Sequence, residues 1–233
     1  FVLALTISCS AILSSCSTGD NKQVVKIAVV GPESRMTGEF KNGIGLAVNE
    51  INNNGYLKDK EVKVKYFDDK RDLSTGIEVA QRIADNADSY SAVIGHWNAF
   101  INIPAAAIYE TAGLTAITPM VSSPDLTRDN SKYIFRLVPT DKDEAKKMAE
   151  YAKNKGYDNI AVCYTDSDYG RGLAREFNSA CAERGINITD NHSDFVDQND
   201  FDRQYAKWEA LDTKAVFIAD SLPYAKDLIE KIR

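Results

Sequence analysis

Two histidines and four cysteines are the first residues to weigh for chemistry in this 233-residue chain. His96 follows the apolar run Ala92-Val93-Ile94-Gly95, so it reads as a satisfied core histidine rather than a general base. His192 sits in Asp190-Asn191-His192-Ser193-Asp194 and reads as part of a solvated loop. Cys163 lies in the strand-like run Ile160-Ala161-Val162-Cys163-Tyr164, and Cys181 on the apolar face of a helical run. Both read as buried thiols acting as small hydrophobes, with a disulfide as the alternative in an exported protein. Asp68-Asp69-Lys70-Arg71-Asp72 carries its own counter-charges and reads as a salt-bridged surface loop. No cysteine or histidine spacing suits zinc. No nucleophile elbow, phosphate-cradling loop or dinucleotide fingerprint is present. These residues give no catalytic constellation, metal site or cofactor site, and the chain reads as a binder rather than an enzyme.

The polar groups that could hold a ligand are instead in loops. Gly31 to Gly38, Gly95-His96-Trp97-Asn98-Ala99 and Thr118-Pro119-Met120-Val121-Ser122-Ser123-Pro124 follow apolar strand-like runs. Further along, Thr165-Asp166-Ser167-Asp168-Tyr169-Gly170 and Asp220-Ser221-Leu222-Pro223 do the same. In an open α/β sheet, ligands bind outside the carboxyl ends of the strands. Asn98, Ser122 and Ser123 can cap helices or turns, where free backbone N–H groups face an anion. Trp97, Phe100 and Tyr169 can supply apolar walls. Each also has a plainer reading: Asn98 as an ordinary N-cap, the Ser122-Ser123 stretch as a loop, Tyr169-Gly170 as the start of a helix.

The elements that must position these loops alternate in type. Val24 to Val30 is a continuous apolar strand ended by Gly31-Pro32. Phe40, Ile44, Ala47, Val48 and Ile51 recur at helical spacing until Asn52-Asn53-Asn54-Gly55. Val62, Val64 and Tyr66 then alternate as a strand, helical runs precede and follow a strand at Ala92, and strands at Leu114 and Tyr133 come next. A second series begins with a helix near 142–155 and the strand Asn159 to Tyr164. It continues with the helix through Leu173, Phe177 and Cys181, a strand near Asn187 to Phe195, and a short helix marked by Tyr205, Trp208 and Leu211. Ala215 to Ala219 is a strand, and a last helix starts near Tyr224. Repeated βα units imply parallel sheets covered by helices. Two series imply two Rossmann-like α/β lobes, 24–138 and 139–233, with Pro139 at the boundary.

Residues 1–23 form neither lobe. Phe1 to Leu13 is apolar or small and too short for a spanning helix, so it reads as the core of a signal peptide lacking its basic start. It ends in Leu13-Ser14-Ser15-Cys16, followed by a polar stretch. This resembles a bacterial lipobox, in which Cys16 is lipidated and anchors the mature protein to the membrane. An ordinary cleavage site with an incidental cysteine is the alternative, and Cys9 is a weaker candidate. The net charge of −6 and the lack of a basic stripe argue against a nucleic-acid partner.

Taken in order, these segments resemble the leucine/isoleucine/valine-binding protein family, the type I periplasmic binding proteins of amino-acid ABC importers. The carriers are Lys26 to Pro32, Ala47-Val48-Asn49-Glu50-Ile51-Asn52, Tyr66-Phe67-Asp68-Asp69, Val93-Ile94-Gly95-His96, Ile117-Thr118-Pro119, Asp125-Leu126-Thr127 and Tyr169-Gly170-Arg171-Gly172-Leu173. The resemblance implies two lobes closing on a small polar ligand, and delivery of that ligand to an importer permease in the membrane. It implies backbone contacts from Met120 and Val121, a hydroxyl from Ser122 and a closing Tyr169 on the second lobe. Ala99 stands where amino-acid binders carry a serine, a loss of about 1.5–3 kcal/mol of charge-assisted bonding that Asn98 is placed to replace. Ser221 stands for a second tyrosine. The first loop is shorter than theirs, leaving Met36 or Thr37 nearest an aromatic wall, and Arg71 and Asn98 replace a disulfide pair. The family acid that pairs with a ligand ammonium would lie beyond Arg233, so the second lobe is expected to be incomplete. The expected ligand is an amino acid or a related amide or carboxylate. A ligand-sensing receptor module of a signalling system is the alternative.

Overall fold

The run from Val24 to Val30, five of whose seven residues are β-branched, becomes the long strand β1 (Gln23–Gly31). The structure is a computed structural model that describes residues 23–232 apart from Arg35, Thr37, Asp129 and Asn130. After β1 come α1 (Gly38–Asn53), β2 (Lys60–Asp68), α2 (Leu73–Ala84), β3 (Ala92–Ile94), α3 (Ala99–Thr111), β4 (Ala116–Thr118) and β5 (Ile134–Arg136). The second series is α4 (Asp141–Asn154), β6 (Asn159–Tyr164), α5 (Asp168–Ala182), β7 (Asn187–Ser193), α6 (Gln198–Ala210), β8 (Ala215–Ala219) and α7 (Tyr224–Ile232).

The strands form two sheets, ordered β2-β1-β3-β4-β5 and β7-β6-β8, and every pairing is parallel. This is the α/β architecture of flanked parallel sheets that the alternating pattern predicts. In the first sheet Ala28, Val30, Val93, Ala116 and Ile134 pack against Val79, Ala80 and Ile83 of α2 and Ala105, Ala106 and Tyr109 of α3. In the second, Ile160 and Val162 face α4 and α5, while Ala161 and Cys163 face Phe201, Trp208 and Leu228 on α6 and α7. Phe177 stacks on Phe217 at 3.8 Å between centroids. Burial of one such ring contributes roughly 1.5–3 kcal/mol. Cys163 and Cys181 are buried and unbonded, as the thiol reading expected. Burial pushes their thiols up, to about 12 and about 11.

Three details differ from the sequence reading. The helix marked by Tyr205 and Trp208 begins earlier, at Gln198, because Asp197 caps it by accepting from the Asp200 N–H at 2.8 Å. Residues Pro124–Thr127 make a 3₁₀ turn rather than an open loop, started by the Ser123 hydroxyl. His192 belongs to β7, where it stacks near Phe195 and lies 3.4 Å from Asp200, so it is not in a solvated loop.

Polar caps set where the helices begin. Asp72, Thr140 and Ser167 accept from the N–H groups of Thr75, Asp143 and Gly170. The Ser167 cap fixes the first turn of α5, which carries Tyr169. Ser167→Ala is expected to remove about 1 kcal/mol, lowering the midpoint of a thermal melt by about 2–4 °C. A melt followed by circular dichroism checks this.

Candidate functional site

In the first sheet β1 lies between β2 and β3, so the chain leaves β1 to one side and returns on the other. The crevice between the carboxyl ends of β1 and β3 is therefore the switch point of the sheet, where ligands bind in open α/β folds. Gly31 closes β1 there, and Gly95 to Ala99 follow β3. Gly95 has φ +130°, and a Cβ on it would lie 2.0 Å from the Val30 carbonyl oxygen, so only glycine fits.

His96 anchors this loop from below. It is fully buried, with Nδ1 2.9 Å from Asp69 Oδ2 and Nε2 3.2 Å from the Tyr109 hydroxyl. Its carbonyl accepts from Asn102 Nδ2 at 2.7 Å and Thr118 Oγ1 at 3.2 Å. Burial and Asp69 push the Tyr109 phenol up, which keeps it a hydrogen donor. The core reading of His96 is thus correct, but the reading of the acidic run as a surface loop is not. Asp69 is fully buried as the partner of His96, and Asp68 and Asp72 accept backbone N–H groups from Glu33, Lys70 and Thr75. A charge run normally signals solvent; here one carboxylate faces inward because a distant histidine satisfies it.

Above this anchor stand the residues singled out in sequence. Trp97 lies over Gly31, where a Cβ would meet its ring at 2.8 Å, and meets Phe40 edge-on at 4.9 Å. Its indole Nε1 is buried without a hydrogen-bond partner. Asn98 occupies the N-cap position of α3, yet its side chain makes no capping bond, unlike those of the polar caps above. Ala99 is the first residue of that helix. In the loop after β4, Met120 is exposed and Val121 is buried. Both backbone groups of Val121 are engaged within the protein, its N–H with Thr118 Oγ1 at 3.3 Å and its carbonyl with Arg136 at 3.4 Å. Ser122 follows, and its carbonyl accepts from the Asp141 N–H at 3.0 Å. Met36 is buried nearby in sequence, after β1; Thr37 and Cys16 lie outside the described residues.

Tyr169 and Ser221 stand at the carboxyl ends of the adjacent strands β6 and β8 of the second sheet. Tyr169 is 39% exposed. Burial pushes its phenol up, and Glu144, Asp141 and Asp220 around it add to the effect. Ser221 is exposed. The structure therefore groups Trp97, Asn98, Ala99, Met120, Val121 and Ser122 on one sheet and Tyr169 and Ser221 on the other, with Asp141 between Ser122 and Tyr169.

Asp141 is the residue that the sequence reading passed over, treating it as part of a boundary. It is 3% exposed, and its Oδ1 is buried with no hydrogen-bond partner. Burial pushes its carboxyl above the usual range. The Ser122 hydroxyl, Arg136 and Arg175 oppose that, and Glu176 reinforces it. Buried carboxylate oxygens are ordinarily paired. An unpaired one beside hydroxyls at a strand-end crevice has the chemistry to receive an ammonium or amide donor. The signal available in sequence was the acid following Pro139-Thr140 at the start of a helix, a pattern shared by many surface caps.

Among the described residues no group of three His, Cys, Asp or Glu could hold a metal ion, and no helix is long and apolar enough to cross a membrane. Two open hollows, one beside Gln81 and Thr111 and one beside Phe201 and Lys231, lie away from these loops.

A family model described as "Periplasmic binding protein" matches residues 25–230. The chain is 29% identical over 209 residues to a Leu/Ile/Val-binding protein homolog 1 of Brucella abortus, covering 89% of this chain and 56% of that protein. It is 29% identical over 215 residues to a Leu/Ile/Val/Thr-binding protein of Salmonella typhimurium, covering 90% and 58%. Among solved structures, an ABC transporter substrate-binding protein from Desulfitobacterium hafniense in complex with Leu is 36% identical with a TM-score of 0.81, covering 89% of this chain and 62% of that one. The chain thus spans less than two thirds of the length of these relatives.

Proposed function

The chain belongs to the leucine/isoleucine/valine-binding group of the periplasmic binding protein family, and on that premise we propose that it is the solute-binding component of an ABC importer. It captures an amino acid or a related small amide or carboxylate between lobes 24–138 and 139–233 and hands it to a permease. It catalyses nothing. Its relatives carry solute-binding names and its family is one of exported, periplasmic proteins. Cys16 is the proposed lipid anchor.

The observation that carries the reading is Asp141, a buried carboxylate with a free oxygen between Ser122 and Tyr169. In this reading Asp141 receives the ligand ammonium. The uncapped start of α3, at Asn98 and Ala99, receives the carboxylate on backbone N–H groups aided by the helix dipole. Trp97 and Phe40 form an apolar wall, and Tyr169 closes over the ligand. Closure is a hinge motion near Pro139, selected by contacts made only in the shut state.

A thermal-shift screen of amino acids, amides and short carboxylates on the full-length protein tests this. A ligand present at one hundred times its Kd adds about 2.7 kcal/mol. That is expected to raise the melting midpoint by about 5–10 °C. Absence of stabilisation by every compound would defeat the reading.

A further inference from the structure

The loop after β8 holds a second carboxylate with an unsatisfied oxygen. Asp220 turns Oδ1 onto the backbone N–H and hydroxyl of its neighbour Ser221. Its Oδ2 is buried and has no hydrogen-bond partner. The group lies close enough to Tyr169 and to Tyr224 for its charge to act on both phenols, and the Tyr224 hydroxyl is itself buried without a partner. Tyr169 therefore stands among Asp141, Glu144 and Asp220.

Nearby cations are committed elsewhere. Arg136 bonds the carbonyls of Val121 and Ser123 and the Thr127 hydroxyl. Arg171 pairs with Asp166 and Asp168, and Arg175 with Glu176. Among the described residues no salt bridge reaches Asp141 or Asp220. Asp141 is the almost fully buried one, and its free oxygen points to a ligand donor independently of the acidic surroundings. One ammonium satisfies Asp141 and leaves Asp220 wanting.

We propose that Asp220 accepts a hydrogen bond from a nitrogen on the ligand's side chain, so that the site selects amino acids with a cationic or amide side chain over branched aliphatic ones. The inference rests on the reading of these loops as an amino-acid site. A leucine side chain placed against Asp220 leaves a buried carboxylate oxygen without a donor, a penalty of about tenfold to a hundredfold in affinity. A guanidinium, ammonium or carboxamide supplies the missing N–H.

The test is calorimetric titration of the full-length protein with arginine, lysine, glutamine, asparagine, leucine and isoleucine. At least one of the first four is expected to bind about tenfold or more tighter than leucine and isoleucine. The charged and amide arms show which donor the site takes. Asp220→Ala, with Asp220→Asn as the milder variant, is expected to erase that preference, weakening the favoured amino acid and tightening leucine by up to about the tenfold to hundredfold that the unpaired carboxylate cost it. Leucine or isoleucine binding tightest to the wild type, or a preference unchanged in Asp220→Ala, overturns the inference and leaves the amino-acid site standing. Binding of none of the six overturns the inference as well, and the wider screen of amides and carboxylates then decides the site itself. The wild-type ranking needs no variant, so a poorly folding substitution does not blunt the test.

Discussion

Asp141→Asn is expected to weaken amino-acid binding by about 2–4 kcal/mol, roughly thirty-fold to a thousand-fold in Kd. The shape of the side chain is kept and only the charge is removed. In the wild type the carboxylate has a buried oxygen without a partner, so the ligand ammonium finds a desolvated acceptor that needs no reorganisation. An amide in its place offers a neutral oxygen and brings two N–H groups that face a cation. Calorimetric titration with the tightest amino acid from the screen measures the loss. A variant that binds as tightly as the wild type would reduce Asp141 to a helix-start carboxylate, favourable to the α4 dipole and nothing more.

The same substitution is expected to act in the opposite sense on the unliganded protein. Burial raises the Asp141 carboxyl above its ordinary value. A carboxyl whose folded pKa is raised binds its proton more tightly in the folded state than in the unfolded one. It therefore weakens folding at every pH above that raised pKa, and the penalty fades as pH falls toward the unfolded value. Asp141→Asn has no such titration. Its melting midpoint is expected to exceed that of the wild type at pH 7 and to converge on it near pH 4. Loss of binding with a gain in stability is the pattern of a group held in place for its ligand rather than for the fold.

Local features were legible in the sequence because they depend on near neighbours. The apolar run from Val24 to Val30 has one stable use, a strand that is buried from Ala28 onward, and the spacing of Leu173, Phe177 and Cys181 has one as well, a helix face. The loops carrying Trp97, Ser122, Tyr169 and Ser221 followed from the same pattern, since strand ends fix where loops begin. Burial of a charge was not legible. Asp69 stands among Asp68, Lys70, Arg71 and Asp72, and nothing local distinguishes it from them. Its partner His96 becomes its neighbour only when β2 and β3 line up on either side of β1. Asp141 was hidden in the same way, by a context typical of exposed helix starts. Asn98 shows the converse: its residue type and position suit a cap, but its side chain makes no capping bond.

The pair that sequence could not reveal has the largest expected effect on the fold. Asp69→Ala is expected to destabilise the protein by about 3–5 kcal/mol, as breaking one side of a buried pair does. For a chain of this size that is a fall of about 6–20 °C in melting midpoint. Asp69 is an acceptor on both oxygens: Oδ2 meets His96 Nδ1 at 2.9 Å and Oδ1 takes the Arg71 N–H at 3.0 Å. Without it, the His96 Nδ1 hydrogen is buried with no acceptor. The imidazole then loses its orientation toward Tyr109, and the carbonyl of His96 is freer to leave Asn102 and Thr118. Trp97, Asn98 and Ala99 follow directly, so the loosened anchor is expected to weaken ligand binding too, though by less than Asp141→Asn does. Asp69→Asn keeps one acceptor oxygen and is expected to recover part of the stability. Melts of the two variants, with and without the screened ligand, separate the anchor from the site. Equal melting of Asp69→Ala and the wild type would mean that the His96 network holds nothing in place.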